Sequence, residues 1–227
     1  DDRRAVAIVG SRHTTGYGRE IASAFAWQLA RAGWTIVSGL ARGIDTQAHR
    51  GALAGNGRTL AVLGCGLDVV YPRENAKLME QIVERGAVIS EFPPASPPEA
   101  WHFPVRNRII SGLTRGTVVV EASEKSGALI TADFALEQGR DVMAVPGNVA
   151  NPLSRGPHRL IKQGARLVEG ASDILDEMGL EKLFPVPEAG QEGKMKMSSE
   201  EQALYSLLSL DPVSLDELIS KSGFTPQ

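Results

Sequence analysis

One cysteine, Cys65, stands in 227 residues, so no internal disulfide framework can form and a reducing, cytoplasmic setting is expected. Four scattered histidines beside it give no cluster with metal-ligand spacing, so neither a metal nor another cofactor is expected. No apolar run approaches the roughly 18 residues of a membrane helix, and no signal-peptide pattern opens the chain. The first residue is Asp1 rather than Met, which reads as a fragment or a processed chain. Aromatic residues are few (6 Phe, 3 Trp and 3 Tyr), and no solenoid-type repeat is present.

The net charge of −3 argues against a nucleic-acid binder until it is divided by position. Residues 1–180 hold 20 basic and 19 acidic side chains, and 17 of those 20 are Arg. Residues 181–227 hold 4 Lys and no Arg against 8 acidic residues. Arg matches a phosphate edge with a planar fork and stacks on flat surfaces, so the first part is a neutral domain rich in phosphate-suited groups.

The organising stretch is VAIVGSRHTTGYG, residues 6–18. Four apolar residues, Val6 to Val9, read as a buried parallel strand and run into Gly10, Ser11 and Arg12. A helical pattern begins near Arg19, with Ile21, Ala24, Phe25, Leu29 and Ala32 on one face. The small loop between them, at a helix N-terminus and beside Arg12, is a seat for an anion, or else a tight turn with an exposed Arg. Its spacing is not the G-x-G-x-x-G of a dinucleotide fold. Further strands are expected at 34–37, 59–63, 87–90, 117–120, 142–145 and 166–168. Helices are expected after Ile44 and over 75–85, 105–113, 127–138, 158–163 and 172–178. That alternation predicts an α/β, Rossmann-like, doubly wound and mainly parallel sheet.

In such a sheet ligands bind past the carboxyl ends of the strands. The loops there carry Arg12, Arg42, Arg73, Lys125 and Arg155, with Arg106 and Arg108 opening the next helix, so a positive cleft is expected from a neutral domain. Residues 181–197 read as a linker. Capping boxes at Ser198–Glu201 and Ser214–Glu217 open two short helices, and Thr225-Pro226 starts a third, a partial winged-helix-like module over 198–227.

The candidate groups have plainer readings as well. Arg106 and Arg108 flank Asn107 and suit a backbone phosphate or a base edge, or they pair with Glu99 or Glu121 at a helix end. Lys125-Ser126-Gly127 is a second cationic anion seat or a solvated turn. Asp45 and His49, four apart, read as a capping Asp with its neighbour rather than a catalytic pair, since no nucleophile accompanies them. Cys65 reads as packing, and Tyr71, Trp101, His102 and Phe103 as rim aromatics that either stack on bases or anchor loops.

Taken in order, VGSR (9–12), SGLARGID (38–45) with Ala48-His49, GCG (64–66) with Tyr71-Pro72 and Asn75, ISEFP (89–93), FPVRNRIISGL (103–113), VVVEA (118–122), SGALITA (126–132) and VPG (145–147) resemble the DprA/Smf family of bacterial DNA-processing proteins. The resemblance implies a Rossmann-like domain that binds single-stranded DNA, dimerises and loads the RecA recombinase in natural transformation, without catalysis. Carried onto this chain, it implies a phosphate pocket of Gly10, Ser11 and Arg12 with Gly39, Arg42 and Gly43 beside it. It implies Arg73, Arg106, Asn107, Arg108, Lys125, Ser126 and Gly127 along the same cleft. A looser similarity, through Ser126 to Thr131, is to the lysine-decarboxylase-like hydrolases that cut nucleoside monophosphates.

Overall fold

In a computed structural model, residues 2–178 are described, and beyond them 198, 202, 206–207 and 215–222. The chain divides into two units, Asp1–Pro187 and Glu188–Gln227. In the second, α8 covers Leu215–Ser222, directly after the expected cap at Ser214. The helix expected after Ser198 is represented by Gln202 N donating to Ser198 O (2.9 Å), while the linker and the third helix lie outside the described residues.

The first unit holds a seven-stranded parallel sheet in the order β4-β3-β2-β1-β5-β6-β7. The strands are β1 Ala5–Val9, β2 Thr35–Ser38, β3 Thr59–Val62, β4 Ala87–Ile89, β5 Gly116–Val119, β6 Asp141–Ala144 and β7 Arg166–Leu167. The helices are α1 Gly16–Arg31, α2 Ile44–Ala54, α3 Ala76–Arg85, α4 His102–Gly112, α5 Gly127–Glu137, α6 Arg155–Lys162 and α7 Ala171–Glu177.

The period of two in the strands divides the core into two layers. Val6, Ile8, Ile36, Val118 and Met143 face α1, α2 and α7, where Phe25, Leu29, Ala48 and Ile174 meet them. Ala7, Val9, Val62, Val119 and Ala144 face the other way, onto Ile110 of α4, Leu129 and Ala132 of α5, and Leu160 of α6. A third cluster under α3 joins Leu40, Leu63 and Cys65 to Leu78 and Ile82. Both faces of β1 and β5 are therefore buried, as their unbroken apolar runs require.

Two helices start earlier than the apolar pattern suggests. α1 begins at Gly16, not near Arg19, because Thr15 caps it and accepts from Gly18 N (3.1 Å). α4 begins at His102, and Pro104 falls within its first turn, where a missing N–H does no harm.

His49 of α2 is wholly buried and has one tautomer that satisfies every partner. The Thr59 hydroxyl donates to Ile36 O (2.8 Å), so it accepts from His49 Nδ1 (2.7 Å), while Nε2 accepts from Leu40 N (3.3 Å). Burial, helped by the nearby Arg106 charge, holds the imidazole neutral down to a pKa of about 3 from an ordinary 6.5. The unfolded chain takes up this proton below pH 6.5 and the folded chain only near pH 3, so stability present at neutral pH is lost as pH falls. At pH 4.5 the loss through His49 is about 3 kcal/mol. Urea unfolding at pH 7 and pH 4.5 checks this, with a smaller acid loss expected for His49→Gln.

Candidate nucleic-acid interface

The strand order reverses between β1 and β5, and α1 and α5 leave these strands toward opposite faces of the sheet. That divergence opens a crevice beyond the strand ends. A cleft of about 580 Å³ fills it, walled by Gly10, Ser11 and Arg12 after β1, by Phe103, Arg106 and Asn107 of α4, and by Ser126 and Gly127 where α5 begins.

The first wall is pressed flat by its neighbours. A side chain on Gly10 would meet Ile44 at 2.6 Å and Glu121 O at 2.8 Å. Gly43 has φ +75°, and a Cβ there would lie 2.2 Å from Ser11 O. Ser11 N donates to Glu121 O (2.6 Å) and Ile44 N donates to Ser11 O (3.1 Å), so the loop is fixed from both sides. Arg12 extends from it into solvent with its guanidinium 4.9 Å from the centre of the Phe103 ring, and Tyr71 lies 5.7 Å from that ring. A flat guanidinium held on an aromatic face keeps its N–H edge available to an anion.

Beneath this wall Arg106 is 3% exposed. Its Nη1 donates to Gly39 O (2.8 Å) and to Val62 O, Nε has no partner among the described residues, and a Cβ on Gly39 would meet the guanidinium at 2.7 Å. Burial lowers its pKa to about 10, against the opposing pull of Asp45, so it stays charged at neutral pH. Asp45 accepts from Gly39 N (3.1 Å) and Ala41 N (3.3 Å), and burial pushes its carboxyl up despite Arg106. Asp45 thus holds the loop after β2 and does not cap its helix as expected, since the N-cap of α2 is Gly43, with no side-chain hydrogen bond. Asn107 Nδ2 donates to Gly127 O (3.1 Å), tying α4 to the start of α5. Ser126 caps α5 by accepting from Ala128 N (3.3 Å), and no acidic residue lies in that first turn.

The start of α1 is different. Glu121, 2% exposed and just past β5, turns its carboxylate onto it. Thr14 Oγ1 (2.6 Å) and Thr15 N (2.9 Å) donate to Oε2, and Thr15 Oγ1 donates to Oε1 (2.5 Å). The first turn of α1 contains no acidic residue of its own. The anion seat expected at this helix end is filled by the chain itself.

Residues 1–179 match the family described as DNA recombination-mediator protein A. The chain belongs to that family. It is 53% identical over 186 residues to Protein Smf of Escherichia coli (strain K12), covering 81% of this chain and 50% of that protein. It is 47% identical over 175 residues to DNA processing protein DprA of Bacillus subtilis (strain 168), covering 77% and 59%. The chain thus spans about half to three fifths of the length of these curated relatives. The X-ray structure of DNA processing protein A from Streptococcus pneumoniae superposes with a TM-score of 0.71 at 47% identity, over 76% of this chain and 61% of that one. DNA processing protein A from Helicobacter pylori, whose structure concerns its single-stranded DNA binding mode, gives 0.70 at 29% identity over 77% and 79%. The molybdenum cofactor binding protein of Rippkaea orientalis, at 15% identity and a TM-score of 0.55, shares the fold alone.

In this family member the thirteen residues named from sequence do not form one surface. Gly10, Ser11, Arg12, Arg106, Asn107, Ser126 and Gly127 line the main cleft. Gly39 and Arg42 line an adjoining hollow with Arg12, Tyr71 and Phe103. Gly43 shapes the loop from behind. Arg73 opens a 3-10 turn as an exposed residue outside the cleft lining, and Lys125 lines a separate groove with Arg159. Arg106 belongs to the cleft floor, because it is buried and its Nη1 is held by two main-chain carbonyls.

Carboxylates hold several of the remaining cations. Arg42 pairs through two nitrogens with Glu74, Arg108 pairs with Glu91 rather than Glu99 or Glu121, and Arg155 lies 3.9 Å from Glu124. Arg12, Arg73 and Lys125 have no such partner among the described residues. Sequence reasoning missed Glu121 as the occupant of α1. The available signal was Thr14-Thr15 opening an acid-free first turn while an acidic residue followed the neighbouring strand.

The glycines give a direct check on this geometry. Gly43→Ala is expected to destabilise the fold by more than about 1 kcal/mol, since positive φ and the Ser11 carbonyl both oppose a methyl group. Gly127→Ala, where a Cβ meets nothing within 4 Å, is expected to change stability by under about 0.5 kcal/mol. Urea midpoints of the two variants read the difference.

Proposed function

We propose that this chain binds single-stranded DNA along the cleft between β1 and β5 and holds its backbone without reading its sequence. The observation that carries the reading is Arg12, exposed and laid on Phe103 at the topological switch point, opposite the acid-free start of α5. A guanidinium edge and a helix N-terminus facing one cleft offer two separate grips for successive phosphates. Phe103 supports Arg12 from below, and Tyr71 beside it offers a flat surface to an unpaired base. The Helicobacter pylori relative, described for its binding of single-stranded DNA, supports the same reading.

The carboxylates at the rim are competitors for the strand. Glu74 and Arg42 are both about half exposed, and solvent screens such a pair, so a phosphate can replace Glu74. Binding then exchanges an internal anion for a backbone one and releases counterions from the strand. Following the family resemblance, the chain acts as a homodimer in the cytoplasm. It protects incoming single strands in natural transformation and passes them to RecA, with no catalytic step of its own. Two cleft sites in a dimer would hold one strand open over a longer span than either alone.

Fluorescence anisotropy with labelled oligo-dT and its duplex, at low and moderate salt, tests the binding. The expected outcome is single-strand binding that exceeds duplex binding and weakens steeply with salt. Arg12→Ala is expected to lose about tenfold or more in affinity, and Arg12→Ala with Arg42→Ala nearly all of it. Glu74→Gln is expected to tighten binding a few-fold at low salt, roughly the range of one exposed pair. Salt-independent affinity, or unchanged affinity in the double variant, would refute the reading. Faster RecA filament formation on the covered strand is the expected readout for loading.

A further inference from the structure

The end of α1 is the place where an α/β sheet of this kind ordinarily receives a ligand phosphate, because the first turn presents unpaired N–H groups and the positive end of the helix. Here that place contains Glu121. Its carboxylate is reached by one main-chain N–H and two hydroxyls, of Thr14 and Thr15. The room it takes is kept by a missing side chain, since a Cβ on Gly18 would lie 2.3 Å from Oε2. The backbone holds it as well, for the Glu121 carbonyl receives Ser11 N at 2.6 Å. A carboxylate so placed presents two oxygens to donors much as one edge of a phosphate does.

We infer that Glu121 is a specificity-determining residue: its carboxylate permanently occupies the α1 anion seat and thereby excludes the phosphate of a free nucleotide from it. A ligand phosphate is then met only by the open wall, where Arg12 and the start of α5 each face solvent. A mononucleotide gains one weak contact there. A strand engages the two grips in succession, so polymeric phosphate is selected over nucleoside monophosphates. The inference rests on the proposed reading of the cleft only for this last step. The occupancy of α1 stands on the hydrogen bonds alone.

The consequence is that an external anion can replace the missing carboxylate. Glu121→Ala empties the seat while leaving its donors in place, and Glu121→Gln keeps it filled with a neutral group of the same shape. The probes are acetate and AMP, followed by thermal unfolding and by calorimetric titration, with oligo-dT anisotropy in parallel. For Glu121→Ala the expected result is a lowered melting temperature that acetate partly restores. A gain in AMP affinity of about tenfold or more over the wild-type chain is expected with it, as an anion regains the helix end. Wild type and Glu121→Gln are expected to show neither effect.

A purely structural Glu121 would lower the melting temperature without acetate rescue and without a gain in AMP binding, and that result overturns the inference. Equal AMP affinity in wild type and Glu121→Ala overturns it too. Should the alanine chain not fold, Glu121→Ser, which likewise removes the carboxylate and leaves its donors in place, carries the same test. The strand-binding reading fails separately: oligo-dT that does not bind wild type refutes that reading, while acetate rescue still decides what occupies α1.

Discussion

A buried carboxylate on the end of a helix governs how this molecule meets anions. Glu121 joins the end of β5 to the loop after β1 through its carbonyl and to the start of α1 through its side chain, so one residue ties the loop and the helix end to the paired central strands. Removing a charge from water is expensive unless donors replace the solvent, and Thr14 and Thr15 supply them. The same contact settles which helix end is available to a ligand. With α1 filled, α5 and Arg12 define the open side.

The opposite charge is treated in a parallel way. Arg106 is buried, and its Nη1 holds the carbonyls of Gly39 and Val62 together beneath the cleft. Its charge also lies close to Asp45 and His49, raising the cost of a second proton on the imidazole. A neutral domain thus divides its arginines by role. One arginine is used as a strut, the rim arginines Arg42 and Arg108 lend themselves to exposed glutamates, and Arg12 is left on an aromatic face without a carboxylate partner among the described residues. Exposed pairs exchange readily and buried ones do not, so burial separates the architecture from the grip.

Much of this was readable in the sequence. The apolar runs at Val6–Val9 and Val118–Val120 announced buried parallel strands, and their alternation with amphipathic segments implied a doubly wound sheet, while the strand order that puts the crevice between β1 and β5 came from the structure. The glycine-rich loops placed Gly10, Ser11, Arg12 and Ser126-Gly127 at its mouth, where they are found. The depth of a side chain was not readable. Arg106 and Arg108 are two residues apart in one motif, yet helical geometry turns the first under Gly39 and the second to solvent beside Glu91. Nor was the partner of α1, because Glu121 is 106 positions from Thr15 and only the β1–β5 pairing brings them together.

Amide hydrogen exchange of the chain with and without saturating oligo-dT locates the ligand along this wall most directly. The account predicts added protection at residues 10–13, 103–107 and 126–128, with the start of α1 at 15–18 unchanged because Glu121 already occupies it. Protection centred on 15–18, with the α5 start and the Arg12 loop unaffected, would contradict it.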